Sequence, residues 1–177
     1  MPNYRRLRAP GATYFFTVTL ADRRSTVLTD RIDLLRAAFR ETLRTAPVRL
    51  AALVILPDHL HAVWTLPPGD ADYSGRWRRI KGGFTRRLGR PGRRSDSKRA
   101  KGEHGVWQRR FREHGIRDAA DFARHVEYCW WNPVRHGLAG RVADWPYSTF
   151  HRDVRRGVVT ADRGGGEEVG TAGERRG

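Results

Sequence analysis

The sequence lacks features that several protein classes require. Cys129 is its one cysteine, so the chain can build neither an internal disulfide nor a zinc site made of cysteines. No apolar run approaches the length of a membrane span, and the first residues lack the apolar stretch of a signal peptide. Walker and Rossmann glycine motifs are absent, and the carboxylates are too scattered for a two-metal nuclease cluster. We therefore exclude a secreted, membrane or collagen-like protein and expect no membrane partner.

Basic residues, by contrast, are abundant and concentrated. The 177 residues include 35 Lys+Arg and 19 Asp+Glu, which gives a formal net charge of +16 and a sequence pI of about 11.4. Residues 75–104 alone contain twelve basic and two acidic side chains. Such an excess indicates a polyanionic partner, and nucleic acid is the first candidate. We expect a DNA- or RNA-handling protein of the cytoplasm, associated with the nucleoid.

Hydrophobic patterning predicts strands that are separated by helices. The predicted strands are 13–20, 50–56, 59–66 and 106–111, and the predicted helices are 30–44, 75–88 and 118–130. Asp30, Ser74 and Asp118 are the expected N-caps, and Pro133 is expected to end the last helix near Asn132. With a hairpin in the middle, this order predicts an α+β ferredoxin-like sandwich, a central antiparallel sheet with helices packed on it.

Composition along the chain predicts one domain over residues 1–154. Residues 155–177 carry seven glycines and almost no apolar side chains, so we predict a disordered tail there. Residues 1–12 are predicted to form a basic arm, and the Gly/Arg/Ser-rich residues 89–105 to form a mobile basic loop.

His59 and His61 are the first candidates for chemistry. Side chains on a strand alternate between faces, so the two imidazoles point the same way while Leu60 points into the core. Two such imidazoles could bind one divalent ion. From spacing alone, two half-buried structural histidines are the favoured interpretation.

Tyr128 and Asn132 are the second candidate pair. They are four residues apart in a predicted helix and therefore share one face. A phenolate can attack phosphorus, and an amide oxygen can complete a metal site. The alternative is that Tyr128 is a core aromatic residue and Asn132 a helix C-cap.

Interleaved aromatic and basic residues form the third candidate, over residues 4–6, 77–79 and 107–112. Such mixtures suit unstacked bases and their phosphates, although each segment alone could be one charged face of a strand or helix. The excess of charge in residues 75–104 favours nucleic-acid binding. The predicted DNA contacts are Asn3, Tyr4, Arg5, Arg6, Arg76, Arg79, Lys81, Arg86, Arg87, Gln108, Arg109 and Arg110.

Taken in order, these motifs resemble the REP-associated tyrosine transposases, which are single-tyrosine members of the HUH group (histidine, hydrophobic residue, histidine). The matching residues are 2–6, 13–18, 56–64, 69–74, Trp77, Ile80, Lys81, Phe84, 106–111, Tyr128, 132–138 and 144–148. The resemblance covers about residues 2–152. It departs at Trp130, where relatives often carry a histidine.

The resemblance implies a metal-dependent transesterase acting on single-stranded DNA. It implies that Tyr128 is the nucleophile and that His59, His61 and Asn132 bind Mg²⁺ or Mn²⁺. Nicking and strand transfer would pass through a 5′-phosphotyrosine. The expected substrate is a short palindromic hairpin of the REP type, with the basic arm reading a tetranucleotide that precedes it. A monomer is expected.

Two other functions remain open from the residues. One is a non-catalytic basic binder of single-stranded or structured nucleic acid, with structural histidines. The other is a metal-dependent hydrolase that uses water as its nucleophile. Composition alone favours the binder, whereas the ordered set of motifs favours the transposase.

Overall fold

An antiparallel sheet forms the centre of the fold. In the computed structural model, which describes residues 9–89 and 105–163, the strands lie in the order β2-β3-β1-β4. They are β1 (Thr13–Thr19), β2 (Arg49–Ile55), β3 (His59–Thr65) and β4 (Arg112–Gly115). The helices are α1 (Val27–Asp30), α2 (Ile32–Thr45), α3 (Tyr73–Leu88), α4 (Ala119–Arg135) and α5 (Phe150–Arg155), and a 3-10 turn spans Val142–Asp144. The predicted α+β ferredoxin-like sandwich is confirmed.

Strand β3 lies between β1 and β2 in the sheet, and helices packed on each side bury both of its faces. Its side chains alternate, so Leu60 and Trp64 enter the core under α2 and α3. Val63 enters a second core under α4, and His59 and His61 lie on that same side. The alternation predicted from the sequence is therefore present in the fold.

The first core joins α2 and α3 to the sheet through aromatic rings. The indoles of Trp64 and Trp77 stack with their centroids 4.5 Å apart, and the ring of Phe16 lies 4.8 Å from Trp64. Burying one large apolar side chain of this kind stabilises the fold by roughly 1.5–3 kcal/mol. Gly83 allows the close approach of the two helices, because a Cβ there would lie 3.3 Å from the Cβ of Ala38.

Two of the predicted helix starts are wrong. The cap of α3 is Asp72 and not Ser74, since the carboxylate of Asp72 accepts the backbone N–H of Gly75 at 2.8 Å. Asp30 ends the short helix α1 instead of capping α2, which follows Arg31 without a side-chain cap. Both starts lie close to the predicted positions, so the helices themselves are placed correctly.

Helix α4 begins as predicted but ends later. The carboxylate of Asp118 accepts a backbone N–H of the first turn at 2.8 Å. The predicted end near Asn132 is wrong, because the helix continues through Pro133 to Arg135. A proline so near the end removes one N–H donor, and the backbone N–H of His136 still donates to the carbonyl of Asn132 at 3.0 Å. Asn132 is therefore a helical residue and not a cap.

The predicted strand over residues 106–111 is also wrong. The fourth strand is β4, and Trp107 makes only an isolated bridge with Leu20. The indole N–H of Trp107 donates to the carbonyl of Lys81 at 3.2 Å, and its ring lies 5.6 Å from that of Phe84. The burial of this aromatic side chain is therefore due to packing on α3 and not to a strand at residues 106–111.

The folded region extends past the predicted boundary at residue 155. Val159 is buried against the second core, and the Arg163 guanidinium donates to the carboxylate of Glu127 at 2.9 Å. The start of the predicted tail is therefore wrong. Residues 164–177 lie outside the described residues, as do residues 1–8 of the predicted arm and residues 90–104 of the predicted loop.

The described helices include none that is both long and apolar enough to cross a bilayer.

Arg76 was predicted to contact DNA, and this prediction is wrong. Its side chain is 3% exposed and donates to the carbonyls of Ala46, Pro47 and Asp72 at 2.9 to 3.1 Å. It also donates to the Asp70 carboxylate at 2.6 Å, and this hydrogen bond lowers the pKa of Asp70. The guanidinium thus ties the start of α3 to the connection between α2 and β2.

Replacing Arg76 should therefore affect folding. Arg76→Ala removes a buried side chain and its four hydrogen bonds, and we expect the free energy of unfolding to fall by about 2–4 kcal/mol. Arg79→Ala, an exposed change on the same helix, should alter it by less than about 0.5 kcal/mol. Denaturant unfolding measures both values, and equal stability of the two variants would contradict the buried role.

Candidate functional site

The two imidazoles of β3 lie side by side with one nitrogen of each already engaged. Their ring centroids are 5.0 Å apart, and the residues are only 3% and 2% exposed. The Nδ1–H of His59 donates to the carboxylate of Asp58 at 2.7 Å. The Nδ1 of His61 lies 2.9 Å from the hydroxyl of Thr17, its partner across the sheet. Nε2 is thus the remaining nitrogen on each ring, in the arrangement typical of metal-binding histidines.

Helix α4 places Tyr128 against His61 and carries Asn132 one turn further along. The ring of Tyr128 lies 5.2 Å from the ring of His61 and 5.7 Å from that of Phe15. The guanidinium of Arg135 lies 5.4 Å from the Tyr128 ring centroid. Asn132 is 1% exposed, one helical turn beyond the tyrosine. The structure therefore brings all four predicted site residues to one side of the sheet.

Two buried atoms in this site have no hydrogen-bond partner. They are Nε2 of His61 and Oδ1 of Asn132, and both belong to predicted metal ligands. Leaving such an atom unpaired costs about 1–3 kcal/mol. Imidazole nitrogen and amide oxygen are both donors that divalent metals accept. The side chains at this site therefore offer the kinds of atom that a divalent cation binds.

Electrostatics keep the imidazole of His61 ready to bind. Burial lowers its pKa well below the usual value, and the neighbouring His59 and His136 lower it further. His61 is therefore neutral near pH 7, which is the form that binds metals. Burial would raise the pKa of Asp58, but its hydrogen bond with His59 and the charge of Arg23 outweigh burial and lower it. The ionised carboxylate orients the His59 ring.

His136 is a neighbour of the site that the sequence interpretation missed. It follows Asn132 by four residues, as Asn132 follows Tyr128, and its ring centroid lies 5.1 Å from that of His59. The repeated four-residue spacing from Tyr128 to Asn132 to His136 could have indicated it. The sequence interpretation missed it because the helix was predicted to end near residue 132.

A second polar cluster, also missed, lies between β4 and α4. One ligand atom each of His114, Asp121 and His125 lies within 4.8 Å of the others. The carboxylate of Asp121 already accepts hydrogen bonds from the His114 ring at 2.9 Å, the Arg117 backbone at 3.1 Å and the Arg124 guanidinium at 3.1 Å. These donors, two of them on arginines, oppose a cation at this carboxylate. The cluster is better described as a carboxylate that anchors basic side chains.

The remaining predicted DNA contacts on α3 lie on the sheet face opposite the metal-ligand candidates, whereas Gln108 donates its backbone N–H to Thr19, the strand partner of His59. Helix α3 packs on the opposite face of the sheet, where it contributes to the first core. Exposed side chains on it and on the following segment are Arg79, Arg86, Gln108, Arg109 and Arg110. They are accessible to a DNA phosphate.

Two of the predicted contacts are engaged within the protein. The Arg87 guanidinium donates to the carboxylate of Glu41 at 2.6 Å, and Lys81 donates to the carbonyl of Gln108 at 2.8 Å. Asn3, Tyr4, Arg5 and Arg6 lie outside the described residues.

The chain has relatives that match it over nearly its whole length. It is 46% identical over 175 residues to the REP-associated tyrosine transposase of Escherichia coli (strain K12), covering 99% of this chain and 98% of that protein. It is 44% identical over 175 residues to a protein of Haemophilus influenzae with the same family name, covering 98% of this chain and 99% of that protein. A solved REP-associated tyrosine transposase bound to a REP hairpin is 45% identical, with a TM-score of 0.83 and 99% of both chains covered. No protein-family model matches the chain.

The antiparallel sheet carries the imidazole pair, and the phenol of Tyr128 faces it. Identity of this size over nearly the full length of the relatives then fixes the family. The chain belongs to the REP-associated tyrosine transposases. The resemblance found in the sequence is confirmed.

The buried imidazole predicts how the stability of the metal-free chain depends on pH. Because the pKa of His61 is lower in the folded state than its unfolded value of about 6.5, the unfolded chain takes up the proton first as pH falls. Neutral His61 therefore contributes fully to stability above about pH 6.5. Below that pH the free energy of unfolding falls by up to about 1.4 kcal/mol for each pH unit.

We therefore expect the free energy of unfolding in EDTA to fall between pH 7.5 and pH 5.5, and to fall less in His61→Leu. Denaturant unfolding at the two pH values measures both slopes. A variant with the same pH dependence as the original chain would contradict the assignment.

Proposed function

We propose that this chain nicks single-stranded DNA and transfers the strand, with Tyr128 as the nucleophile. One observation carries the proposal. The ring of Tyr128 lies 5.2 Å from that of His61, in a site where two buried atoms able to bind a metal, Nε2 of His61 and Oδ1 of Asn132, have no hydrogen-bond partner. The phenolic oxygen would attack phosphorus, and the bond from phosphorus to the 3′-oxygen would break. The proton lost by the phenol is balanced by the one that the departing 3′-oxygen gains. The products are a 5′-phosphotyrosine and a free 3′-OH.

The second half of the reaction reverses the first. A 3′-OH from the same or another strand attacks the phosphotyrosine, which rejoins DNA and restores the phenol. One phosphodiester is exchanged for another, so the reaction needs no nucleotide cofactor.

We assign His59, His61 and Asn132 as the residues that would hold Mg²⁺ or Mn²⁺. When bound, the ion would stabilise the negative charge that develops on the phosphate oxygens. Two imidazoles and an amide suit Mn²⁺ better than Mg²⁺, which prefers oxygen ligands. Asp58 supports the set by fixing the ring of His59 through its Nδ1–H.

The proposed substrate is a short palindromic hairpin of the REP type preceded by a tetranucleotide. The relative solved with a REP hairpin supports this choice. Exposed arginines of α3 and of residues 109–110 would contact hairpin phosphates, and the basic arm at residues 1–12 would read the tetranucleotide. We propose a monomer, because Tyr128 packs against the imidazoles of its own chain.

Tyr128→Phe should abolish cleavage and leave hairpin binding nearly unchanged, because only the attacking oxygen is removed. The measurement is a labelled REP-type oligonucleotide on a denaturing gel, which shows both the cut strand and a covalent protein–DNA band. Tyr147→Phe is the matched control, since Tyr147 packs beside Trp145 away from the site and should cleave normally. Cleavage by Tyr128→Phe without a covalent band would favour the hydrolase, and binding without cleavage by the unaltered chain would favour the non-catalytic binder.

Metal affinity should depend on the two strand imidazoles. We expect Mn²⁺ binding, measured by calorimetry or electron paramagnetic resonance without DNA, to be lost in the double variant His59→Ala/His61→Ala. Asp58→Asn should weaken it by about 10- to 100-fold, because the ring of His59 loses its orienting carboxylate. His151→Ala, an imidazole in α5, is the control and should bind normally. Unchanged affinity in the double variant would place the metal site elsewhere.

A further inference from the structure

The sheet face that carries the imidazoles is covered on only one half. Helix α4 packs mainly over β2 and β3, which leaves the β1 and β4 side more open. A pocket of about 410 Å³ lies there, between β4 and α4. Tyr128 and His61 both line it, although each is nearly buried. The pocket therefore adjoins both the phenol ring and the imidazole of His61.

One wall of this pocket is a continuous run of rings. His114 and His125 stack with their centroids 4.7 Å apart and their planes 19° apart. The ring of Phe15 lies 4.7 Å from His125 and 5.7 Å from Tyr128. The side chain of His114 is 40% exposed, so the outer end of the run is accessible. Flat rings of this kind stack on any unpaired base.

Guanidinium groups lie beside these rings. Arg112, Arg117 and Arg124 line the pocket and are exposed. Guanidinium groups pair with phosphate oxygens through planar forks of N–H donors. Rings next to guanidinium groups are the combination that a single-stranded nucleotide requires, with the rings for its base and the cations for its phosphate.

Asp121 fixes these groups in place. Its carboxylate is 2% exposed and accepts hydrogen bonds from the ring of His114, the backbone of Arg117 and the guanidinium of Arg124. Its backbone carbonyl accepts the Nδ1–H of His125 at 2.8 Å. Burial would raise the pKa of Asp121, but the hydrogen bonds from His114 and Arg117 hold it well below the usual range. The residue is therefore a positioning residue, too buried to contact DNA itself.

We propose that this pocket binds the nucleotide on the 3′ side of the scissile phosphate. Its base would lie against the His114–His125 stack and its own 3′-phosphate on Arg117 and Arg124. The choice of side follows from the reaction. The departing 3′-oxygen leaves from the side of phosphorus opposite the phenol, so the preceding nucleotide lies away from Tyr128. The nucleotide that stays linked to Tyr128 through its 5′-phosphate is then the one that a pocket adjoining Tyr128 would hold. That the bound nucleotide belongs to the DNA strand cut by Tyr128 rests on the proposed function.

The test separates binding from chemistry. The probe is a labelled REP-type hairpin with a single-stranded flank, in which one abasic site is moved through the flank position by position. Affinity is measured in EDTA with full-length Tyr128→Phe, and the unaltered chain is used separately to map the cut on the same strand. We expect one abasic position, directly 3′ to the cut, to weaken binding about tenfold through lost stacking.

That penalty should disappear when the pocket is altered. Adding His114→Ala to Tyr128→Phe removes the exposed ring, and adding Asp121→Asn removes the anchor. In both, the abasic and intact flanks should bind equally. Arg40→Ala, an exposed change on α2, should keep the full penalty. If Asp121→Asn fails to fold, which circular dichroism shows, His114→Ala alone decides the result.

Each outcome distinguishes the two proposals. A penalty that remains in the folded pocket variants, or that maps 5′ of the cut, overturns the pocket assignment even when cleavage is normal. A penalty that depends on His114 in a chain that never cuts DNA supports a base-binding pocket but overturns the proposed function and, with it, the assignment to the 3′ nucleotide.

Discussion

The site depends on the register between α4 and β3. The ring of Tyr128 lies 5.2 Å from that of His61, and the ring of His136, eight residues further along the chain, lies 5.1 Å from that of His59. Apolar packing of the second core, in which Cys129 and Val63 take part, holds this register. A slip of one residue on either element would separate the phenol from the imidazoles.

Two of the proposed metal ligands carry a buried atom that lacks a hydrogen-bond partner. Nε2 of His61 and Oδ1 of Asn132 are buried without partners, although Thr17 satisfies the other imidazole nitrogen. The fold thus accepts a cost of about 1–3 kcal/mol for each atom, and a bound cation would remove it. Indole N–H groups are also unpaired in the described cores, but they can only donate and cannot bind a cation.

Much of the site was predictable because it rests on local periodicity. Strand alternation placed His59 and His61 on one face, and four-residue spacing placed Tyr128 with Asn132. The errors arose where tertiary packing overrides local signals. Burial of the Arg76 charge depends on carbonyls some 30 residues away, and the His114 and Asp121 partnership joins a strand to a helix. Neither interaction can be predicted from the spacing of residues along the chain.

The two sheet faces have different proposed roles. Exposed arginines near α3 would hold a hairpin, whereas the α4 side would carry the chemistry. Mass spectrometry of the protein–DNA adduct after trypsin digestion tests the role of Tyr128 most directly. The nucleotide is expected on the peptide of residues 125–135, in which Tyr128 is the one tyrosine. An adduct on any other tyrosine would contradict it.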